Sequence, residues 1–79
     1  MNSEKKEIIL IKFGERLKEL KDQSGLSYRK LAQKCDLDHA DIKNFEKGKD
    51  LHLLTIIELS KAYGVKPEDL LKFDMPEDF

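Results

Sequence analysis

The feature that most constrains this chain is a pair of short apolar clusters on either side of a brief break. Leu31, Ala32 and Cys35 follow Ser27, and Ile42 and Phe45 follow Asp38, with Asp36 and Leu37 between the two sets. Apolar residues three and four apart form one stripe on a helix of about 3.6 residues per turn. A serine or aspartate just ahead of such a stripe accepts from the free N–H groups of the first turn. The spacing therefore predicts two short helices joined by a turn too tight for them to lie antiparallel.

The flanks read in the same way. Ile9, Phe13, Leu17 and Leu20 make the stripe of a first helix that stops near Ser24 and Gly25, because glycine past a periodic segment adopts positive φ without steric cost. The second helix keeps Tyr28, Arg29, Lys30, Gln33 and Lys34 outside or at its edges, and the third ends at Gly48 with Asp41 near its N-terminus. A fourth helix runs from about His52 to Tyr63, with Leu53, Ile56, Leu59, Ser60 and Tyr63 inward. Gly64 closes it, and Pro67 opens a last short helix carrying Leu70 and Leu71, proline being suited to a first helical turn. With no tryptophan, four glycines and two prolines, the composition favours helices over a sandwich or barrel. The expectation is an all-α, compact five-helix bundle. At 79 residues it makes a single domain, 1–79, with a core over 9–72, a flexible N-terminal arm over 1–7 and a C-terminal tail over 73–79.

Several classes of function are disfavoured. The lone Cys35 can form neither an internal disulfide nor a multi-cysteine zinc site, and reads as a small core hydrophobe. His39 and His52 lie far apart with no cysteine at ligand spacing, so no metal is expected. Nothing sets out a nucleophile, a base and an orienting acid, so neither an enzyme nor a cofactor is expected. The run Ile8 to Ile11 is too short and too closely flanked by charge to span a membrane, which points to a soluble, cytoplasmic protein.

The net charge of −1 argues against indiscriminate affinity for nucleic acid, but its distribution is uneven. Lys and Arg stand against Asp and Glu as six to five over residues 1–25, six to four over 26–49, and three to seven over 50–79. Any phosphate-facing surface should therefore come from the first two thirds of the chain.

Two short helices about a tight turn, the second polar on its outer side, match the helix-turn-helix motif, which sets its second helix in a major groove. With Ile42 and Phe45 turned inward, a rotation of about 100° per residue puts Ala40, Lys43, Asn44 and Lys47 on the opposite side, a stripe without an acid. Absent the motif, Lys43, Lys47 and Lys49 would be an ordinary solvated surface.

Taken together, FGERLKELKDQSGLSYRKLAQKCDLDHADIKNFEKGK and TIIELSKAYGVKPEDLL resemble the phage-repressor and Cro-like helix-turn-helix family, also called XRE, over roughly residues 9–72. The resemblance implies the lambda-repressor type of DNA-binding domain and base contacts from His39, Ala40, Lys43 and Asn44. An amide at Asn44 suits adenine, an ammonium at Lys43 suits guanine, and His39 can donate to guanine or phosphate. Phosphate contacts are implied for Tyr28, Arg29, Lys47 and Lys49, and a structural pair for Lys21 with Glu46. Tyr28 departs from the family's frequent glutamine, and Asp36 from its usual glycine in the turn. The connection over 49–54 is one residue shorter than usual and lacks its proline.

The resulting expectation is a sequence-specific DNA-binding transcription regulator that acts as a repressor by occupying an operator on double-stranded DNA. A homodimer on two half-sites one helical turn apart would double its contacts. The acidic last third keeps open a different class of function, a protein-interaction module such as the antitoxin that masks a toxin. Phe73, Met75 and Phe79 in the tail could pack on a second subunit or fold back on their own domain.

Overall fold

A computed structural model describes residues 1–77. Four α-helices follow in order, α1 (Ser3–Ser24), α2 (Tyr28–Gln33), α3 (His39–Glu46) and α4 (Leu53–Tyr63), before a 3-10 helix over Pro67–Leu71. No strand occurs among the described residues. The expected fifth α-helix is thus a 3-10 segment. Pro67 starts the turn, and the Asp69 N–H returns to the Lys66 carbonyl three residues back at 2.9 Å, the i→i+3 bond of a short 3-10 segment.

Each α-helix begins where a short polar side chain or a β-region residue allows it. Asn2 accepts from Lys5 N–H at 2.8 Å, Ser27 from Lys30 N–H at 3.2 Å, and Asp38 from Ala40 N–H at 3.5 Å. The Asn2 cap explains one departure from expectation: residues 3–7, read as part of an arm, are already helical. At the other end of α1, Gly25 takes φ 70°, where its N–H returns to the Lys21 carbonyl.

The core is one cluster to which every helix contributes: Phe13, Leu17 and Leu20, Leu31, Ile42 and Phe45, Leu59, Ala62 and Tyr63, and Leu70. The α4 stripe differs from its expected form at one end. Ile56, Leu59, Ser60 and Tyr63 face inward, whereas Leu53 is 70% and Leu54 75% exposed. The reason is that periodicity gives the buried face of a helix but not how far along it the neighbouring helices reach. Cys35 is half-buried against the cluster, unpaired, with its thiol pushed up mainly by burial. Phe73 folds back on its own chain, edge-on to Phe13 with ring centroids 6.4 Å apart. Phe79 lies outside the described residues.

Two contacts hold the α2–turn–α3 unit on this scaffold. The Asp36 N–H, in the turn, donates to Glu58 Oε1 on α4 at 2.9 Å, and Lys61 reaches the other oxygen at 3.0 Å. Those bonds hold the Glu58 carboxyl below the usual carboxylate range. On the other side, the backbone of α1 at Gly14 lies directly against the last turn of α3. A Cβ placed there would sit 2.3 Å from the Glu46 carbonyl oxygen and 2.7 Å from its carbon.

Candidate nucleic-acid interface

Helix α3 turns Ile42 and Phe45 into the core and leaves Ala40, Lys43 and Asn44 exposed, with His39 half-exposed at its start. Just past its end the chain makes a Schellman turn. Lys49 N–H bonds to the Asn44 carbonyl at 3.1 Å and Gly48 N–H to the Phe45 carbonyl at 3.2 Å. Gly48 sits at φ 102°, a region that side-chain-bearing residues rarely enter, and Ile11 lies 3.4 Å from where its Cβ would be. This turn brings exposed Lys47 and Lys49 close to the C-terminus of α3, with the Lys49 ammonium 5.8 Å from the Phe45 ring centroid. At the other end, exposed Arg29 on α2 and His39 on α3 line one shallow cleft with Ala32, Gln33, Leu37 and Asp38. His39 Nδ1 lies 3.2 Å from the cap carboxylate of Asp38.

Two acids of this segment are drawn into structural work. Asp38 caps α3, and Glu46 turns inward: its Oε1 accepts from the Tyr28 hydroxyl at 2.6 Å, and its Oε2 is buried with no partner. Two expectations change here. The Tyr28 hydroxyl, expected on a phosphate, instead donates a hydrogen bond to Glu46, and this bond is the main reason the phenol is pushed up to about 12. Nor do Lys21 and Glu46 make an ion pair among the described residues. The Lys21 ammonium instead lies 4.6 Å from the centroid of the Tyr28 ring, so Tyr28 stands between the two intended partners. Both changes follow from one substitution, because an aromatic ring at the first residue of α2 is large enough to reach α1 and α3 together.

Gly14 was not among the sequence-predicted site residues, although it carried a signal. A glycine inside a helical pattern costs about 1 kcal/mol relative to alanine, which suggests a packing reason where one persists.

An all-helical domain that projects an acid-free polar stripe from the second helix of a tight helix-turn-helix is a DNA-binding domain by fold and surface. Comparison with known proteins agrees. The family described as "Helix-turn-helix domain" matches residues 12–73. Control protein C.BamHI of Bacillus amyloliquefaciens is 39% identical over 67 residues, covering 82% of this chain and 83% of the relative. The crystal structure of the restriction-modification controller protein C.AhdI from Aeromonas hydrophila superposes with a TM-score of 0.72 at 37% identity, covering 77% of this chain and 94% of that one. The chain belongs to the helix-turn-helix domain family, in its phage-repressor and Cro-like branch, and is a DNA-binding transcription regulator. No described helix is long and apolar enough to cross a membrane.

Proposed function

We propose that this regulator controls the genes of a restriction-modification pair, binding as a homodimer to an operator and repressing by occupancy. The two relatives, both controllers by name, support this assignment and lend none to a toxin partner. The observation that carries the DNA reading is the outer face of α3, where Ala40, Lys43 and Asn44 are exposed while Glu46 is turned inward. In this reading His39, Ala40, Lys43 and Asn44 meet base edges, with Lys43 donating to guanine and Asn44 bonding adenine. Arg29, Lys47 and Lys49 flank them and meet phosphates, which set register without reading sequence. The chain acts as one domain and uses no cofactor or catalytic step.

Dimerisation fits the first turn of α4. Leu53 and Leu54 are the two most exposed large apolar residues of the described chain, and a second copy placed over them would bury both. Part of the acidity of the last third is met within the chain: Asp69 is bonded to Lys72 at 2.7 Å and to the Lys66 N–H, and Glu58 to Lys61 at 3.0 Å.

The test is selection from a random duplex library at low salt, followed by titration of the winning sequence and a scramble at rising salt. Recovery of an inverted repeat, bound at least about 1,000-fold more tightly than the scramble, is the expected result. Weak and equal binding to both duplexes would overturn the reading.

A further inference from the structure

We infer that Tyr28 is a positioning residue for sequence reading: it holds the Lys43 ammonium on its ring, while its hydroxyl keeps Glu46 from capturing that ammonium. This rests on the assignment of Lys43 to a base edge. The geometry has three parts. The Lys43 Nζ lies 5.2 Å from the Tyr28 centroid, the Lys21 Nζ lies 4.6 Å from the same centroid, and the Tyr28 hydroxyl is bonded to Glu46 Oε1.

Lys43 and Glu46 stand three apart on α3, the spacing at which opposite charges on a helix meet. Left to themselves, they would form an ion pair, and the ammonium would be lost to a groove. That does not occur here. One carboxylate oxygen is occupied by the phenol and the other is buried, so Lys43 rests against an aromatic face instead. The two resting places differ in what they demand on DNA binding. A ring holds an exposed ammonium with a preference of only about two- to fivefold, which a good contact to guanine, worth at least about fivefold in discrimination, can match or overcome. Removing a lysine from an adjacent carboxylate would instead expose that carboxylate to the phosphates. Lys21, on the same ring, adds a second cation at the junction of α1 and α2. Tyr28 thus gathers three side chains from α1 and α3 around one phenol, which the family's frequent glutamine cannot do with an aromatic face.

The test compares Tyr28→Phe, which keeps the ring, with Tyr28→Leu, which removes ring and hydroxyl together. Discrimination is measured at the base pair whose preference is lost in Lys43→Met and, separately, at the one whose preference is lost in Asn44→Ala. Tyr28→Leu is expected to reduce discrimination at the Lys43 base pair by about two- to fivefold and leave the Asn44 base pair unchanged. Tyr28→Phe should lose less, and in the Lys43→Met background neither variant should change discrimination further. Equal weakening on every duplex, or unchanged discrimination at the Lys43 base pair, would overturn the inference.

A second measurement needs neither DNA nor a folded variant. In the wild-type protein the ring current of Tyr28 should shift the Lys43 ε-methylene protons upfield of an exposed lysine such as Lys47, and ordinary shifts would overturn the placement. If the library selection returns no motif while the Lys43 protons are shifted, the operator reading fails and the packing stands. A recovered motif with unshifted protons rejects the packing alone.

Discussion

Replacing Gly14 by alanine sets two effects of opposite sign against each other, and the structure decides between them. On a helix free in water, the change stabilises by about 1 kcal/mol through backbone propensity. In this fold the new Cβ would lie 2.3 Å from the Glu46 carbonyl oxygen, and relief to 3.0 Å needs an opening of about 0.7 Å, the difference of the two. The obstacle is backbone, with the Phe45 carbonyl oxygen a further 3.0 Å neighbour, so no rotamer change can give way. Either α1 lifts from the last turn of α3 or the Schellman turn at Gly48 distorts. Overpacking of this kind costs about 1–3 kcal/mol and occasionally more, and a contact to rigid backbone belongs at the upper end. Net of propensity, the loss is about 2 kcal/mol, which for a domain of this size lowers Tm by about 8–16 °C. Thermal unfolding followed by circular dichroism, with the exposed neighbour Glu15→Ala as control, measures it. A Gly14→Ala protein with an unchanged or raised Tm would refute the close approach of α1 to α3.

Four further outcomes follow from the same geometry. Asn44→Ala should relax preference at a single base pair by about 1–3 kcal/mol, and an unchanged selected motif would remove it from the base-reading set. Lys47→Ala and Lys49→Ala should weaken binding to all sequences and each reduce the slope of log affinity against log salt by about 0.9, whereas a wild-type slope would sink the phosphate assignment. The double change Leu53→Ser with Leu54→Ser should turn the dimer into a monomer in analytical ultracentrifugation while moving monomer stability little, since both side chains are exposed in the single chain; a persistent dimer would place the interface elsewhere. Because the Tyr28 phenol is raised from 10.0 to about 12 by its bond to Glu46, its contribution to stability is fully present below about pH 10 and fades as pH rises through 12. The stability advantage of wild type over Tyr28→Phe should be flat to pH 10 and shrink above it in urea titrations; an advantage that persists to pH 12 would show that the bond does not favour the protonated phenol.

Much of this molecule is set by interactions a few residues long, and those were legible. The caps at Ser27 and Asp38, the stops at Gly25 and Gly64, and the inward turn of Ile42 and Phe45 each depend on local dihedral preference or on a 3.6-residue period. The same period placed Ala40, Lys43 and Asn44 on the outer side of α3, where they are exposed.

What the tertiary structure alone decided involves distances between helices. The sequence pattern shows that Leu53 can lie on an apolar stripe, but only the packed bundle shows that its neighbours stop short of it. The PEDLL segment carries α and 3-10 possibilities alike, and in the packed domain, with Leu70 fully buried, its backbone takes the i→i+3 bond from the Asp69 N–H to the Lys66 carbonyl. Tyr28 and Glu46 are 18 residues apart, and nothing local says that a phenol will reach that carboxylate or carry two ammoniums on its ring. The motif grammar anticipated a direct partnership of Lys21 with Glu46, yet the size of one side chain put a ring between them. Local chemistry thus determined which segments are helical and which faces are polar, because those follow from backbone preference and period. Which side chains meet was left to the close-packed arrangement of α1, α2 and α3, where the room left by Gly14 and the reach of Tyr28 decide the outcome.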